Sequence, residues 1–332
     1  MTMMTGEATV QTQTVASVSV VICAYTLERW DLLRRAVESV QAQVPAPKQL
    51  LLCVDHNEEL AERSREAWPE FGQERRPAVQ VLTNKYAGRL GSARNTAVEV
   101  VTAEVTAFLD DDAACETGWL QALLEAYDET GAMAVGGAPL PVFETRKPAW
   151  FPEEFFWVFG CHYRGLPDAR QSVRHLIGAS MTVRTSALHR IGGFWSDDHD
   201  DMDMCHRIAA EFGPEAVVYE PGAKVRHFVS KQRVTWAYFW RRCYQVNKGK
   251  VRAFNDMGEA GNLTAELQFV IRAAYGVAAR LASFLSRGDP AALGQCAAII
   301  SGVALAGLGH IHGKIELRLH GKRPSLTRGL CA

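Results

Sequence analysis

The sequence predicts a doubly wound α/β domain followed by a helical C-terminal extension. Short apolar, β-branched runs alternate with helix-period segments over the first 112 residues, as in a sheet covered on both faces. Asp55 and the triplet Asp110–Asp112 stand where two of these runs end, at the edge where such sheets bind ligands. After residue 230 the chain turns basic and aromatic, then apolar.

Each element has its own reason. "SVSVVICAY" (17–25) reads as a strand buried on both faces. In "LERWDLLRRAVESVQAQ" the apolar residues Leu32, Leu33, Ala36, Val37 and Val40 fall at helical spacing, and Pro45 and Pro47 stop the helix. "QLLLCVD" and "AVQVLTN" are the second and third strands, with the charged helix "HNEELAERSREAW" between them. "LGSARNTAVEVV" is a helix and "VTAFLDDDA" the fourth strand, so Asp55 and the triplet should face one crevice. From about 115 to 230 helices mix with short strands: "TGWLQALLEAYDE" is amphipathic, "AMAVGGAPLPVF" is a strand, and "GASMTVRTSALHRIGGF" reads as strand, helix and Gly-Gly turn. "RKPAWFPEEFFWVFG" is an irregular aromatic segment, readable as a sugar-stacking lid or as an ordinary hydrophobic plug. "KQRVTWAYFWRRCYQVNKGKVR" carries no acid from Lys231 to Arg252. It suits an anionic membrane surface, or a basic face that packs on the domain or binds phosphate. The apolar "LGQCAAIISGVALAGLG" is short for a span, which favours a buried or interfacial helical hairpin over a transmembrane helix. The division expected is a flexible leader (1–16), a nucleotide-binding half (17–112), an acceptor-binding half (113–230) and the helical extension (231–332).

A formal net charge of −1 on 332 residues gives no signal for nucleic acid. The polar first residues lack the apolar core of a signal peptide. None of the eight cysteines forms a CxxC pair, so a zinc ribbon or thioredoxin-like site is not suggested, and reduced thiols in a cytoplasmic protein are expected.

Three consecutive aspartates repel one another and call for a counter-charge. The plain reading is a capped strand-end turn. At a ligand-binding edge, a hard cation such as Mg²⁺ or Mn²⁺ is the stronger one, because it makes carboxylates compatible with a substrate diphosphate. A second acidic cluster, "WSDDHDDMDMCHRI", holds Asp197, Asp198, Asp200, Asp201 and Asp203 where a helix opens. Some of these acids would serve the helix dipole; one left over could act as a general base toward an acceptor hydroxyl. His227, in "AKVRHFVS", is a structural residue or a further metal ligand.

These residues resemble family 2 glycosyltransferases. "VSVVICAYTLERWDLLRRAVESVQAQ" is similar to the family's opening strand and helix, with Cys23 at a usual proline and "AYTLER" in place of a "TYNR"-like turn. "NKYAGRLGSARNTAVEVVTAEVTAFLDDDA" carries the "ARN" helix start and the Asp-x-Asp element, and "DDMDMCHRI" resembles the acceptor-side Glu-Asp-x-Asp with Asp200 at the Glu position. The resemblance covers about residues 17 to 250 and implies the GT-A fold, a Rossmann-like mixed sheet, and inverting transfer from a nucleoside diphosphate-sugar, UDP first, to an acceptor hydroxyl. It assigns Asp201, with Asp200 as the alternative, to the catalytic base. Ala24, Tyr25, Glu28, Asp55, Arg94, Asp110 and Asp111 fall to the nucleotide-sugar, and Asp112 and His227 to Mn²⁺ or Mg²⁺. Peripheral contact with the inner face of a membrane through the C-terminal helices is a further expectation. A sugar-nucleotidyltransferase would carry a glycine-rich loop after the first strand, and "CAYTLERW" has no glycine. The non-enzyme rival is a nucleotide-sugar-binding or membrane-scaffolding protein without turnover.

Overall fold

A computed structural model of the chain describes residues 16–69, 77–197, 199–256 and 264–320. Most of the expected leader, and Asp198 and Cys331, lie outside the described residues.

The first half alternates as the sequence predicts. The strands are β1 (Val18–Ala24), β2 (Gln49–Val54), β3 (Val79–Thr83) and β4 (Val105–Asp110), connected by helices α1 (Trp30–Gln41), α2 (Glu58–Ala67) and α3 (Leu90–Val98). Asn57 caps α2 by accepting from the Leu60 backbone N–H at 3.0 Å. Then come β5 (Ala113–Cys115), α4 (Trp119–Thr130), β6 (Ala134–Phe143), β7 (Gln171–Ser172), β8 (Ser180–Arg184), α5 (Thr185–Arg190), α6 (Asp200–Phe212) and β9 (Val217–Val229). One mixed sheet results, in the order β3-β2-β1-β4-β8-β6-β9-β5, with β7 on β9. Strands β3, β2, β1 and β4 are parallel and β8 is antiparallel to β4.

Alternation within β1 divides the core. Val20 and Ile22 pack with Leu33, Ala36 and Val37 of α1 and Leu123 of α4. Val21 points the other way, into a cluster with Ala93 and Ala97 of α3, Leu188 of α5 and Ile208 of α6. Both faces of the sheet are thus covered.

Register sets the site. Cys23 of β1 lies beside Cys53 and Asp110, so Tyr25, Asp55 and the triplet leave the sheet at one edge. Ser180 pairs with Leu109, which brings the residues before β8 to the same edge. His227 belongs to the 13-residue β9, where it pairs with Ala113, directly after the triplet.

The C-terminal extension is α7 (Trp236–Asp256), α8 (Thr264–Arg287) and α9 (Pro290–His320). The aromatic segment is the plug that joins it to the sheet domain. Residues Glu153–Phe159 form a 3₁₀ turn whose Phe155 and Phe156 cluster with Phe151, with Phe239 and Cys243 of α7, and with Ala298 and Ile299 of α9. Trp150 stacks on Trp236 with ring centroids 3.9 Å apart. Arg280 of α8 donates to both carboxylate oxygens of buried Glu154, at 3.0 and 2.9 Å. The glycines of α9 serve close packing: a Cβ at Gly309 would stand 2.2 Å from the Tyr244 carbonyl oxygen of α7. Removing the plug should loosen the extension. Phe155→Ala deletes a fully buried ring at this junction, and chemical denaturation should show a loss of about 3–5 kcal/mol.

One face of the extension is left bare. Leu267, Tyr275 and Leu285 of α8 are 60%, 74% and 83% exposed. Two helical stretches, Leu267–Arg287 and Pro290–Leu319, are long and apolar enough to cross a membrane.

Candidate active site

A cleft of about 850 Å³ opens at the carboxyl edge of the sheet. It is lined by Ala24, Tyr25 and Asp55 from β1, β2 and the turns after them, by Arg94 of α3, by Asp110–Asp112, by Asp200 and Asp201 of α6, and by His227 of β9. Of the residues assigned from the sequence, Glu28 stands outside this lining. It is exposed on the short turn before α1, where its backbone N–H donates to Thr26. Its neighbour Arg29 takes the place in the cleft.

The triplet divides three ways. Asp112 is buried and accepts from His227 Nε2 at 3.0 Å, and its backbone carbonyl accepts from the Phe228 N–H at 2.8 Å. Asp110 is half-exposed and its Oδ2 lies 3.9 Å from the same imidazole nitrogen. Asp111 turns to Arg29, whose Nη1 lies 2.9 Å from its Oδ1 and 3.2 Å from Asp112 Oδ2. The second Asp111 oxygen is buried without a hydrogen-bond partner. Donor atoms of Asp110, Asp112 and His227 all lie within 4.8 Å of one another. Two carboxylates and one imidazole at that spacing fit a hard divalent cation with room for substrate oxygens. The family resemblance assigns Asp110 to the nucleotide-sugar; the structure gathers its carboxylate with the other two donors. On its far side, His227 Nδ1 lies 3.3 Å from the buried Cys161 sulfur.

The cluster polarises its own titrations. Burial raises the Asp111 carboxyl to about 7, assisted by the charge of Asp112 and opposed by Arg29. Burial would raise Asp112 too, but the hydrogen bond from His227 and the charges of His227 and Arg29 win and hold it down at about 2. Burial would lower His227, yet its bond to Asp112 lifts it well above the usual imidazole range.

Arg94 is spent on carboxylates. It is 2% exposed; Nη1 meets Asp200 Oδ2 at 2.5 Å, and Nη2 reaches Asp110 Oδ1 at 3.4 Å and the Gly178 carbonyl at 3.2 Å. It ties the two acidic clusters together beneath the cleft. Burial raises the Asp200 carboxyl to about 7, against the pull of Arg94 and with the repulsion of Asp201 and Asp110. Asp201 is only half-buried, and its carboxylate accepts from the Gly178 and Met202 backbone N–H groups at 3.0 and 2.8 Å. Two other described acids of the cluster have structural work: Asp203 pairs with Arg207 at 2.7 Å, and Asp197 accepts from Arg89 and Ser92 at the start of α3. Asp55 accepts from Asn84 Nδ2 at 2.8 Å and lines the cleft at the end of β2.

A pH effect follows for protein stripped of metal. Asp111 and Asp200 have folded pKa values raised above the unfolded carboxylate value of about 3.9. Their contribution to stability is full below that value and is lost as pH rises through about 7. Raised His227 adds a loss in the same direction, above its ordinary value; lowered Asp112 destabilises only as pH falls toward about 2. With EDTA the chain should therefore melt lower at about pH 8 than at about pH 6.5, and saturating Mn²⁺ should close the gap. An equal melting temperature at both values with EDTA would contradict this electrostatic picture.

The comparisons with known proteins bear on this arrangement. The sequence model of the family described as "Glycosyl transferase family 2" matches residues 19–192. The chain belongs to glycosyltransferase family 2. It is therefore a glycosyltransferase, and its mixed sheet is that of the GT-A fold. It is 30% identical over 314 residues, 91% of this chain and 97% of the relative, to the glucosyl-dolichyl phosphate glucuronosyltransferase of Haloferax volcanii. It is 27% identical to the succinoglycan biosynthesis protein ExoM of Rhizobium meliloti, over 77% of this chain and 78% of that one. Among solved structures, the mannosyltransferase of Pyrobaculum calidifontis with GDP-mannose and Mn²⁺ superimposes with a TM-score of 0.58 at 18% identity, over 94% of this chain and 89% of that chain. That likeness carries the fold, C-terminal helices included in the coverage.

Sequence reasoning missed Arg29, Arg233 and Arg242. Arg29 could be found as the cation one turn beyond Tyr25. The other two were hidden in a basic stretch that suits a membrane surface equally well; the structure turns part of that stretch, Arg233, Tyr238, Arg242 and Gln245, into the cleft.

Proposed function

We propose that this family 2 enzyme is a metal-dependent inverting glycosyltransferase that moves a sugar from a nucleoside diphosphate-sugar, UDP first, to an acceptor hydroxyl. The observation that carries this is the meeting of three groups in one cleft: Asp55 with Ala24 and Tyr25 on one side, Asp110, Asp112 and His227 in the middle, and Asp200 and Asp201 opposite. Asp110, Asp112 and His227 would hold Mn²⁺ or Mg²⁺, which supplies positive charge against the departing diphosphate. Asp55 accepts from the nucleotide base, between Ala24 and the exposed Tyr25 ring. Asp201 takes the acceptor hydroxyl proton as that oxygen bonds to the anomeric carbon and the bond to the diphosphate breaks. Arg94 keeps Asp200 and Asp110 in register for that exchange.

Asp200 has the pKa of a good base, but its carboxylate is committed to Arg94 and is 5% exposed; Asp201 has the more open carboxylate. The bare apolar face of α8 and α9 supports attachment to a lipid surface at the inner face of a membrane. The Haloferax relative is named for a glucosyl-dolichyl phosphate substrate, so a lipid-linked sugar is the first acceptor to try. The test is turnover of UDP-glucose and UDP-glucuronate on such an acceptor, with Mn²⁺ or Mg²⁺, followed by NMR of the new linkage. An inverted anomeric configuration is expected. Retention would overturn the mechanism, and absence of transfer to lipid-linked and soluble sugars alike would return the binding-module reading.

A further inference from the structure

Two arginines of the cleft stand outside hydrogen-bonding and ion-pair distance of its acids. Arg29 is taken by Asp111 and Asp112, and Arg94 by Asp200 and Asp110. Arg233, just before α7, and Arg242, on its inner face, line the same cleft and make no side-chain hydrogen bond or ion pair among the described residues. Arg242 Nε is also buried with no hydrogen-bond partner. A guanidinium nitrogen withdrawn from water and left unbonded is unfavourable, and a bound anion would relieve it.

The course of α7 separates the two arginines by role. Arg233 is close enough to Asp112 to help hold its carboxyl down, so this end lies beside the metal ligands and the donor diphosphate. At the other end, a Cβ at Gly249 would stand 2.3 Å from His199 Nε2, and His199 directly precedes Asp200 and Asp201. Arg242 lies between these ends, about 10 Å along the helix from Gly249. An anion held there would lie between the metal ligands and Asp201, within reach of whatever approaches Asp201.

We propose that Arg242 is the anion subsite of the acceptor, binding a phosphate that joins the acceptor sugar to a lipid. The inference rests on the transferase reading above. The bare apolar face of α8, on the extension that supplies Arg242, gives the lipid chain a place to run. A guanidinium takes a phosphate by paired hydrogen bonds and would take a carboxylate the same way. The other source of such an anion is a uronic-acid donor, and the experiment separates the two.

The full chain in detergent is titrated with geranylgeranyl phosphate and with geranylgeraniol, following tryptophan fluorescence, for wild type, Arg242→Gln and Arg242→Lys. Wild type should prefer the phosphate by about tenfold or more, Arg242→Gln should lose that preference, and Arg242→Lys should keep part of it. A preference that survives in Arg242→Gln, or that wild type lacks, overturns the proposal. So does a loss seen instead in competition of UDP-glucuronate against UDP-glucose, which would move the anion to the donor. UDP binding with Mn²⁺, measured on wild type in the same preparation, reads the transferase assignment separately. If that binding is present and the prenyl phosphate preference absent, only the subsite fails.

Discussion

Asp112→Asn should abolish metal-dependent turnover, with a loss on the order of 10³-fold in kcat. The residue is buried, and three groups depend on its charge: His227 Nε2 at 3.0 Å, Arg29 Nη1 at 3.2 Å, and the cation that Asp110, Asp112 and His227 would share. The amide keeps the shape and removes the charge. A neutral ligand pairs poorly with a hard cation, and His227, which owes its raised pKa first to the Asp112 hydrogen bond, would shed its proton more readily. Electron paramagnetic resonance of free Mn²⁺ should show the ion unbound at concentrations that saturate wild type. Folding should survive, because Asp111 still pairs with Arg29 at 2.9 Å. Tight Mn²⁺ binding by Asp112→Asn would mean that the donor set lies elsewhere.

The second large effect separates two adjacent carboxylates. Asp201→Asn should lower kcat by about 10²–10⁴-fold, as expected for loss of a general base, and leave nucleotide affinity and melting temperature near wild type. Among the described residues its carboxylate holds backbone N–H groups alone, of Gly178 and Met202, and an amide oxygen can still accept from one of them. Asp200→Asn should behave in the opposite way. It removes the anion 2.5 Å from a guanidinium that is 2% exposed. Because the site favours the neutral form of Asp200, the amide should cost only about 0.5–1.5 kcal/mol, the net worth of the hydrogen bond it weakens, with Asp110 still facing Arg94 at 3.4 Å. The measurement is a pair of melting curves with a pair of steady-state profiles. Full stability and a collapsed kcat in Asp200→Asn, with turnover intact in Asp201→Asn, would exchange the two roles.

Much of this was legible before any coordinates. The buried runs around Val20, Leu51 and Phe108 have no polar face to offer solvent, so they had to be strands covered on both sides. Two such strands ending in acids place Asp55 and Asp110 at one edge for any parallel register, and Cys23 beside Asp110 is that register. What the sequence hid depends on distant pairings. The Ala113–His227 match that brings the imidazole to the triplet spans more than a hundred residues. The ion pair from Arg94 to Asp200 does the same. The guanidinium of "ARN", Arg94, is given to the nucleotide by the family resemblance until its partners are known. The aromatic segment was equally ambiguous, because rings that stack on sugars and rings that fill a core have one composition. Trp150 against Trp236 and Phe155 against Phe239 make it a core. Basic α7 is the plainest lesson: its charge pattern fits a membrane surface, and only the packing of α9 on its outer side directs Arg242 inward.

Asp110, Asp112 and His227 should bind a nucleoside diphosphate through a divalent cation. Calorimetric titration of wild type with UDP, in Mn²⁺ and again in EDTA, tests it most directly, with GDP and dTDP as comparisons. The prediction is saturable binding of one nucleotide in Mn²⁺ that vanishes in EDTA. Equal binding in both, or binding of none of the three, would contradict it and leave the triplet as a strand-end turn neutralised by Arg29 and His227 alone.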